Sequence, residues 1–496
     1  MKCSINNIAM SLSEMKPSRR QVLSQQQYAF FILVSVLFLF AFGALHGATI
    51  YVPDDHLTIQ EAINASADDD LIIVKPGTYI ENINFGGRRI TLRSEQGPRL
   101  TIIDGNYNGS VVTFNQGEGP NSMLDGFKIT YGNNSVDGGG IHCVNTSPTI
   151  TNNIISSNIG HKGGGISVYR GDPIIRNNVI SDNLAYTGGG IRVEDSSCHV
   201  HNNLFYLNVA NAHGGGIYVN FNASTSDVSL FASNTIAYNI AGAYGGGIFL
   251  HLDCESQVKD SILWGNDALD TVQNPGDQIY LNGNTNHQPE MKISFSCVQG
   301  GNNAPHVNGG NWLIWGPGMI QDDPLFVSGP EGDYYLSQIF NGGQTVKSLC
   351  VDKGDPASAI FDGTTRTDHV QDAAPIDMGY HYPLLTFHLN VEPAILYGGG
   401  SGIFSVTDGK PNENTYLVYS LVGVWPESDG PNTYVPQLDV WLWLKKPLKL
   451  AGGVMKTDSD GDGHWIFTIP PSPGLDVWFQ AVQYGQATNW VHRRIQ

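Results

Sequence analysis

The sequence predicts an all-β protein: a right-handed parallel β-helix followed by an antiparallel β-sandwich. Three observations carry that prediction. Glycine triplets begin at Gly138, Gly163, Gly188, Gly214 and Gly245, at spacings of 25, 25, 26 and 31 residues, and a period in this range marks a solenoid. The intervals hold short β-branched runs broken by Gly and Asn, with no helical apolar spacing. Beyond Pro383 the texture changes to alternating strands separated by Gly, Pro, Asn and Asp, as in a separate β-sandwich.

Aligned by their glycines, the repeats form columns. Ile141, Ile166, Ile191, Ile217 and Ile248 follow the triplets; two positions on stand Cys143, Val168, Val193, Val219 and Leu250. Residues two apart on a strand share a face, so both columns point inward. Ile155, Ile180, Phe205, Ile236 and Leu263 form a third inward column. Two asparagine columns, Asn153 to Asn234 and Asn158 to Asn266, are placed to hydrogen-bond from coil to coil. The glycines are expected to supply the positive φ angles and the close approach that sharp turns between sheets require.

Taken in order, the chain opens with a leader over residues 1–48. An apolar run, Tyr28 to Leu45, follows Lys16, Arg19 and Arg20, the pattern of an export signal. Cleavage near Ala48 and retention as a membrane anchor are both open. Ser18-Arg19-Arg20-Gln21-Val22-Leu23 is similar to a twin-arginine motif, but so apolar a core favours the ordinary secretory route. Residues 49–383 are read as the β-helix. Its first strand, Thr49 to Pro53, precedes Thr58 to Ile63, where Thr58 and Glu61 have capping-box spacing and Ile59, Ala62 and Ile63 share one face. A short helix there would cover the open first coil, whose strand edges would otherwise invite aggregation. From Asp267 to Pro383 the glycine period lapses, and irregular coils and loops are expected to close the far end. Residues 384–496 are the sandwich.

This order of elements resembles the pectin-lyase-like superfamily of right-handed β-helix proteins. Its opening coils are matched by Thr58-Ile59-Gln60-Glu61-Ala62-Ile63, by Ile72 to Tyr79 and by Ile102-Ile103-Asp104-Gly105. The triplet coils resemble the parallel β-helix repeats of exported bacterial proteins. Asp323-Pro324-Leu325-Phe326, Asp333-Tyr334-Tyr335-Leu336, Cys350 to Pro356 and Asp377-Met378-Gly379-Tyr380 resemble the tail of the choice-of-anchor Q group. The resemblance implies the fold. Its members include lyases, hydrolases, esterases, epimerases and noncatalytic surface proteins, so activity must be read from the site.

Composition narrows the partners. The chain of 496 residues has 59 glycines, 14% charged residues and a formal charge of −19. The leader carries four basic groups against one acidic, which leaves the remainder near −22. Nucleic acid is thereby disfavoured as a partner. Six cysteines show no Cys-x-x-Cys spacing and define neither a disulfide framework nor a zinc site.

Outward positions after each triplet carry the candidate site. One column reads His142, Ser167, Arg192, Tyr218, Phe249; its neighbour reads Val144, Tyr169, Glu194, Asn220, His251. With coils about 4.8 Å apart these side chains form one ribbon. Aromatic faces interspersed with Arg170, Arg192, Glu194 and His251 suit a sugar chain; the plain alternative is an exposed stripe in which Arg192 pairs with Glu194. A hydrolase needs paired carboxylates, and here Glu194 stands alone while Asp137 and Asp195 sit at turns. The catalytic motifs of the superfamily's polygalacturonases and pectin methylesterases are not found. Asp458, Asp460 and Asp462 alternate with Gly463 in sixth place, as in a calcium loop. Ile469 stands where the bidentate Glu would be, so a polar hairpin turn is the first reading and calcium the second. The expectation is an exported, glycan-associated protein that binds polysaccharide without cleaving it. A polyuronate lyase using Tyr169, Arg192 or His251, and a spacer with no ligand, are the alternatives.

Overall fold

The computed structural model describes residues 47–220, 228–269, 277–284, 286, 288–308, 312–329, 331–339, 344–360, 362–367 and 371–383. Beyond these it describes 388–392, 401–407, 414–421, 433–435, 440–442, 449–450, 455–456, 463–468, 476–483 and 486–495. Residues 49–315 are a parallel β-solenoid of about ten turns. Four parallel sheets run along it. Sheet I holds eleven strands from Thr49–Val52 to Trp312–Trp315; sheet II holds nine from Gly77–Ile80 to Cys297–Val298. Sheet III holds six from Asn133–Asn134 to Asp267–Ala268, and sheet IV nine from Ile83–Asn84 to His306–Asn308.

The glycine alignment is the register of sheet IV. Ile141 pairs with Ile166, Ile166 with Ile191, Ile191 with Ile217 and Ile217 with Ile248. All three inward columns are buried in one continuous core. The extra residues of the longer fourth interval lie in sequence between Asn220 and Ser229, which both pair in register.

Both asparagine columns are buried ladders. Asn183 accepts at Oδ1 from the main-chain N–H and the amide of Asn158, each at 3.0 Å. Its own amide donates to Asn208 Oδ1 at 3.0 Å and to the Ile155 carbonyl at 2.8 Å. Each coil corner thus closes its hydrogen bonds on the next coil, which a buried turn requires. The other ladder passes from Asn234 to Ser261 and Ser296, whose hydroxyls still accept the N–H of the preceding coil at 3.1 Å.

At the corner before sheet IV the first glycine of four triplets, Gly163, Gly188, Gly214 and Gly245, holds a positive φ of 67–78°, as expected, whereas the corner between sheets I and II is mostly not glycine. Asn152, Asn177, Asn202, Ser233 and Asp260 hold positive φ of 52–57° between sheets I and II, a conformation Asn and Asp tolerate. The inner triplet glycines supply the expected close approach. A Cβ on Gly164 would lie 2.6 Å from the Gly189 carbonyl oxygen and 2.7 Å from that of Leu184.

The predicted helix spans Ile59–Ala65, with the Thr58 side chain accepting from the Glu61 N–H and Ile59, Ala62 and Ile63 buried. Glu81, one coil later, accepts from the Ile59 and Gln60 N–H groups at 3.0 Å, a carboxylate placed where helix-end donors need one.

The stretch after Asp267 departs from expectation. Coils continue in register to Trp312–Trp315, and the chain then turns back along the outer face of sheet II. A hairpin, Phe326–Gly329 with Gly332–Leu336, brings Tyr334 and Tyr335 to join Tyr380 and Tyr382 over Leu204 and Ala237. Leu336, Cys350, Val351 and Met378 cover Ile262 and Cys297. Polar contacts fix this returning arm. The Tyr380 N–H donates to Thr235 Oγ1 at 2.9 Å, the Asn202 amide donates to the His381 carbonyl at 3.0 Å, and Arg99 pairs with Glu331 at 2.9 Å.

The described part of the C-terminal region forms small antiparallel sheets. Ser401–Thr407 pairs with His388–Glu392 and Gly463–Thr468, and Asp476–Gln483 pairs with Asn414–Ser420 and Gln486–Arg494. Phe404, Val406, Leu417, Trp465, Val477 and Phe479 make their core. Among the described residues no helix is long and apolar enough to cross a membrane; Tyr28 to Leu45 lie outside them.

Candidate functional site

The two outward columns of sheet IV lie in register but differ in exposure. Ser167, Arg192, Tyr218 and Phe249 are buried, Arg192 being 9% and Phe249 1% exposed. This corrects the reading of the first column as an open ribbon. The residues that close it stand at the end of sheet III, immediately before the triplets. His213 stacks on Phe249 at 4.6 Å and Tyr244 on Tyr280 at 4.5 Å. The column continues past the glycine repeats: Tyr218 to Phe249 is 5.3 Å, Phe249 to Tyr280 5.4 Å and Tyr280 to His306 4.7 Å between ring centroids. Arg192 ends the stack, its guanidinium 4.7 Å from the Tyr218 ring.

Arg192 is fully engaged. It donates to Glu194 Oε2 at 2.9 and 3.2 Å and to Thr187 Oγ1, and Lys162 approaches the same carboxylate at 3.7 Å. The plain pairing of Arg192 with Glu194 is what the structure contains. Charge-assisted bonds of this kind hold geometry firmly.

The second column is half open to solvent: Tyr169, Glu194, Asn220, His251 and Asn282 are intermediate in burial and Asn308 is exposed. These groups meet one another along the row. His251 Nδ1 lies 3.2 Å from Asn220 Oδ1 and 3.3 Å from the Tyr218 hydroxyl, while Asn308 donates to Asn282 at 3.4 Å. Arg170 stacks on Tyr169 at 4.7 Å and pairs with Asp195 at 3.4 Å. His142 stands apart at the N-terminal end, 3.8 Å from Asp137.

Electrostatics follow burial. Desolvation, then the Arg192 charge, lowers the His251 pKa, so its imidazole is neutral at pH 7. His213 is lowered by burial and then by His251. Burial also lowers His142, against the pull of Asp137. It raises the Tyr218 phenol, opposed by Arg192. The arrangement therefore offers polar donors and acceptors beside a ring stack, with both of its arginines ion-paired, Arg192 to Glu194 and Arg170 to Asp195.

Tyr280, His306, His213 and Tyr244 were not among the sequence candidates. Ile279-Tyr280-Leu281-Asn282 repeats the pattern of Ile217-Tyr218-Val219-Asn220, but no glycine triplet precedes it. A cleft of about 690 Å³ also opens between the last turns, at Phe295, Trp315 and Met319, and the arm, at Leu349, Asp352 and Lys353. Among the described residues no group of three or more His, Cys, Asp or Glu could hold a metal. The candidate calcium ligands Asp458, Asp460 and Asp462 lie outside the described residues. Compared with known proteins, the chain matches no family model and no curated protein.

Proposed function

We propose that this is an exported, right-handed β-helix protein of pectin-lyase-like type that binds polysaccharide along sheet IV without cleaving it. One observation carries the reading: Tyr169, Glu194, Asn220, His251, Asn282 and Asn308 form a row of hydrogen-bonding side chains in register. Rungs about 4.8 Å apart let a sugar chain meet a polar group at every rung, with Tyr169 offering a ring face. A net charge of −19 favours a neutral or cationic glycan over nucleic acid. On this reading the C-terminal sheets belong to a β-sandwich that anchors or sorts the protein, with calcium at Asp458, Asp460 and Asp462 as a second role.

A polyuronate lyase is the second reading, favoured by the Tyr218 hydroxyl lying 3.3 Å from the neutral His251 ring. Against it, elimination needs a cation on the substrate carboxylate, and Arg192 and Lys162 face Glu194 while Arg170 pairs with Asp195. Affinity electrophoresis of the purified chain through a polysaccharide panel, with unsaturated ends followed by ultraviolet absorbance, separates the readings. Retarded migration without product, weakened in Tyr169→Ala and His251→Ala, is expected. Unsaturated product lost in His251→Ala establishes the lyase. Unretarded migration on every glycan leaves a spacer.

A further inference from the structure

We propose that Cys297 and Cys350 are a redox pair that closes into a disulfide, stapling the returning arm to the solenoid. Cys297 lies on the last strand of sheet II, and Cys350 lies on the arm that covers it. Both are fully buried, packed with Ile262, Leu336 and Met378. The two side chains share one small buried cluster, one from the solenoid and one from the arm, and Cys297 Sγ reaches the Asp322 carbonyl at 3.3 Å; the Cys350 thiol is the chief influence raising the Cys297 pKa. The backbone on each side is fixed. The Cys297 N–H donates to the Ser261 carbonyl at 2.8 Å, and the Cys350 carbonyl accepts from the Met378 N–H at 3.0 Å. Bond formation asks for sulfurs about 2.05 Å apart, which two thiols packed in one buried cluster are placed to reach. The other described cysteines, Cys143, Cys198 and Cys254, are buried without such a sulfur partner on the arm.

The oxidant is a disulfide of the small-molecule or protein dithiol class. The thiolate of one cysteine attacks a sulfur of R–S–S–R, forming a mixed disulfide and releasing one RS⁻. The second cysteine's thiolate then attacks the protein-bound sulfur, forming the Cys297–Cys350 bond and releasing a second RS⁻. The two protons given up by the cysteines end on the two RSH products, and the two electrons reside there. Contact with Cys350, and then burial, hold the Cys297 thiol protonated while the arm is docked. Exchange therefore starts before the arm closes, and docking completes it. Asp322 and Leu349, which line the cleft, neighbour the pair, so the staple fixes that cleft's two walls relative to each other.

The test uses the full chain, reduced in denaturant and refolded with oxidised glutathione or with dithiothreitol. Free thiols are then alkylated in denaturant and the chain is cut with trypsin. The glutathione sample is expected to yield peptides Ile293–Lys347 and Ser348–Lys353 joined, two hydrogens lighter than the separate pair, with Cys143, Cys198 and Cys254 alkylated. Its thermal midpoint should exceed that of the reduced sample by about 2–6 °C, a rise absent in Cys350→Ala. Alkylated Cys297 and Cys350 after oxidative refolding, linkage of either to another cysteine, or a link with no rise in midpoint each overturns the staple. The peptide measurement needs no variant, so it stands even where Cys350→Ala does not fold.

Discussion

Asn178→Ala tests whether the buried ladders hold the coils together. Asn178 accepts at Oδ1 from the main-chain N–H of Asn153 at 3.0 Å and from its amide at 3.1 Å. Its amide donates to Asn203 Oδ1 at 3.0 Å and to the Ile150 and Arg176 carbonyls at 2.9 and 2.8 Å. Alanine leaves two hydrogens of Asn153 without an acceptor in a site closed to water. A buried orphan of this kind costs about 1–3 kcal/mol. The carbonyls are less demanding, and Asn203 Oδ1 keeps the Asn178 N–H at 2.9 Å. The sum is a loss of about 3–5 kcal/mol. Serine gives a finer test, because Ser261 already replaces asparagine in this column and accepts the Asn234 N–H at 3.1 Å. Asn178→Ser should recover about 1–2 kcal/mol of the alanine loss by accepting the Asn153 N–H. Urea unfolding followed by fluorescence, with exposed Gln257→Ala as reference, reads both as shifts in midpoint at constant slope. Equal losses for alanine and serine, or an alanine loss within about 0.5 kcal/mol of the reference, would refute the accounting.

Other outcomes follow from the same structure. Gly164→Ala drives a Cβ to 2.6 Å from a backbone oxygen with no flexible neighbour to yield; it should abolish soluble expression, whereas Gly86→Ala, with open space around it but a φ of +62°, should cost only about 1 kcal/mol. Asp377 is pushed up to about 6 by burial and then by Asp372, so it adds stability that is complete below its ordinary value of 3.8 and is lost as pH rises through 6. His201 is pushed down to about 4 by burial, from 6.5, so it adds stability present above 6.5 and lost as pH falls toward 4. The two oppose each other, and thermal midpoints between pH 4 and 6.5 should fall more steeply on acidification in Asp377→Asn and less steeply in His201→Gln; parallel curves would refute both assignments.

The solenoid was legible because its causes repeat. Each inward column is set by one apolar residue per coil, and the glycine period carries the register with it. Sheet III was not, since Leu184-Ala185-Tyr186-Thr187 alternates for only four residues beside a stronger glycine signal. The arm left a trace that a face-by-face reading could have used. Val179 beside Ile180, Leu204 beside Phe205 and Ile262 beside Leu263 are adjacent apolar residues on one strand, so both faces are covered. Nothing periodic names the cover, because the arm occurs once. The candidate site was half legible for a related reason. Arg192, Tyr218 and His251 do lie together, but the closure of their column by His213 and Tyr244 depends on sheet III, whose position the columns do not give.

That closure changes how sheet IV can work. Flexible exposed Arg and Tyr side chains would each lose rotamer freedom on meeting a ligand, at about 0.5–1.5 kcal/mol apiece. Here Arg192 is pinned by Glu194 and Thr187, and Tyr218 is held between Arg192 and Phe249. His251 is oriented by Asn220. Folding has already met much of the ordering cost, and the half-exposed row stands on a rigid base. Sheet II is covered by the arm. Sheet III presents Ile159 and Leu184, 38% and 37% exposed, whose aliphatic groups offer a sugar hydroxyl no hydrogen bond, beside the exposed stacked rings of His161 and Tyr186, 5.3 Å apart. Sheet IV carries a hydrogen-bonding side chain at the same position of six successive rungs, from Tyr169 to Asn308. Glycan retention should therefore respond to substitution at Tyr169 and His251 and be indifferent to Leu184→Ala. Equal loss at all three positions would place the ligand across the corner between the sheets and remove the basis for choosing this row.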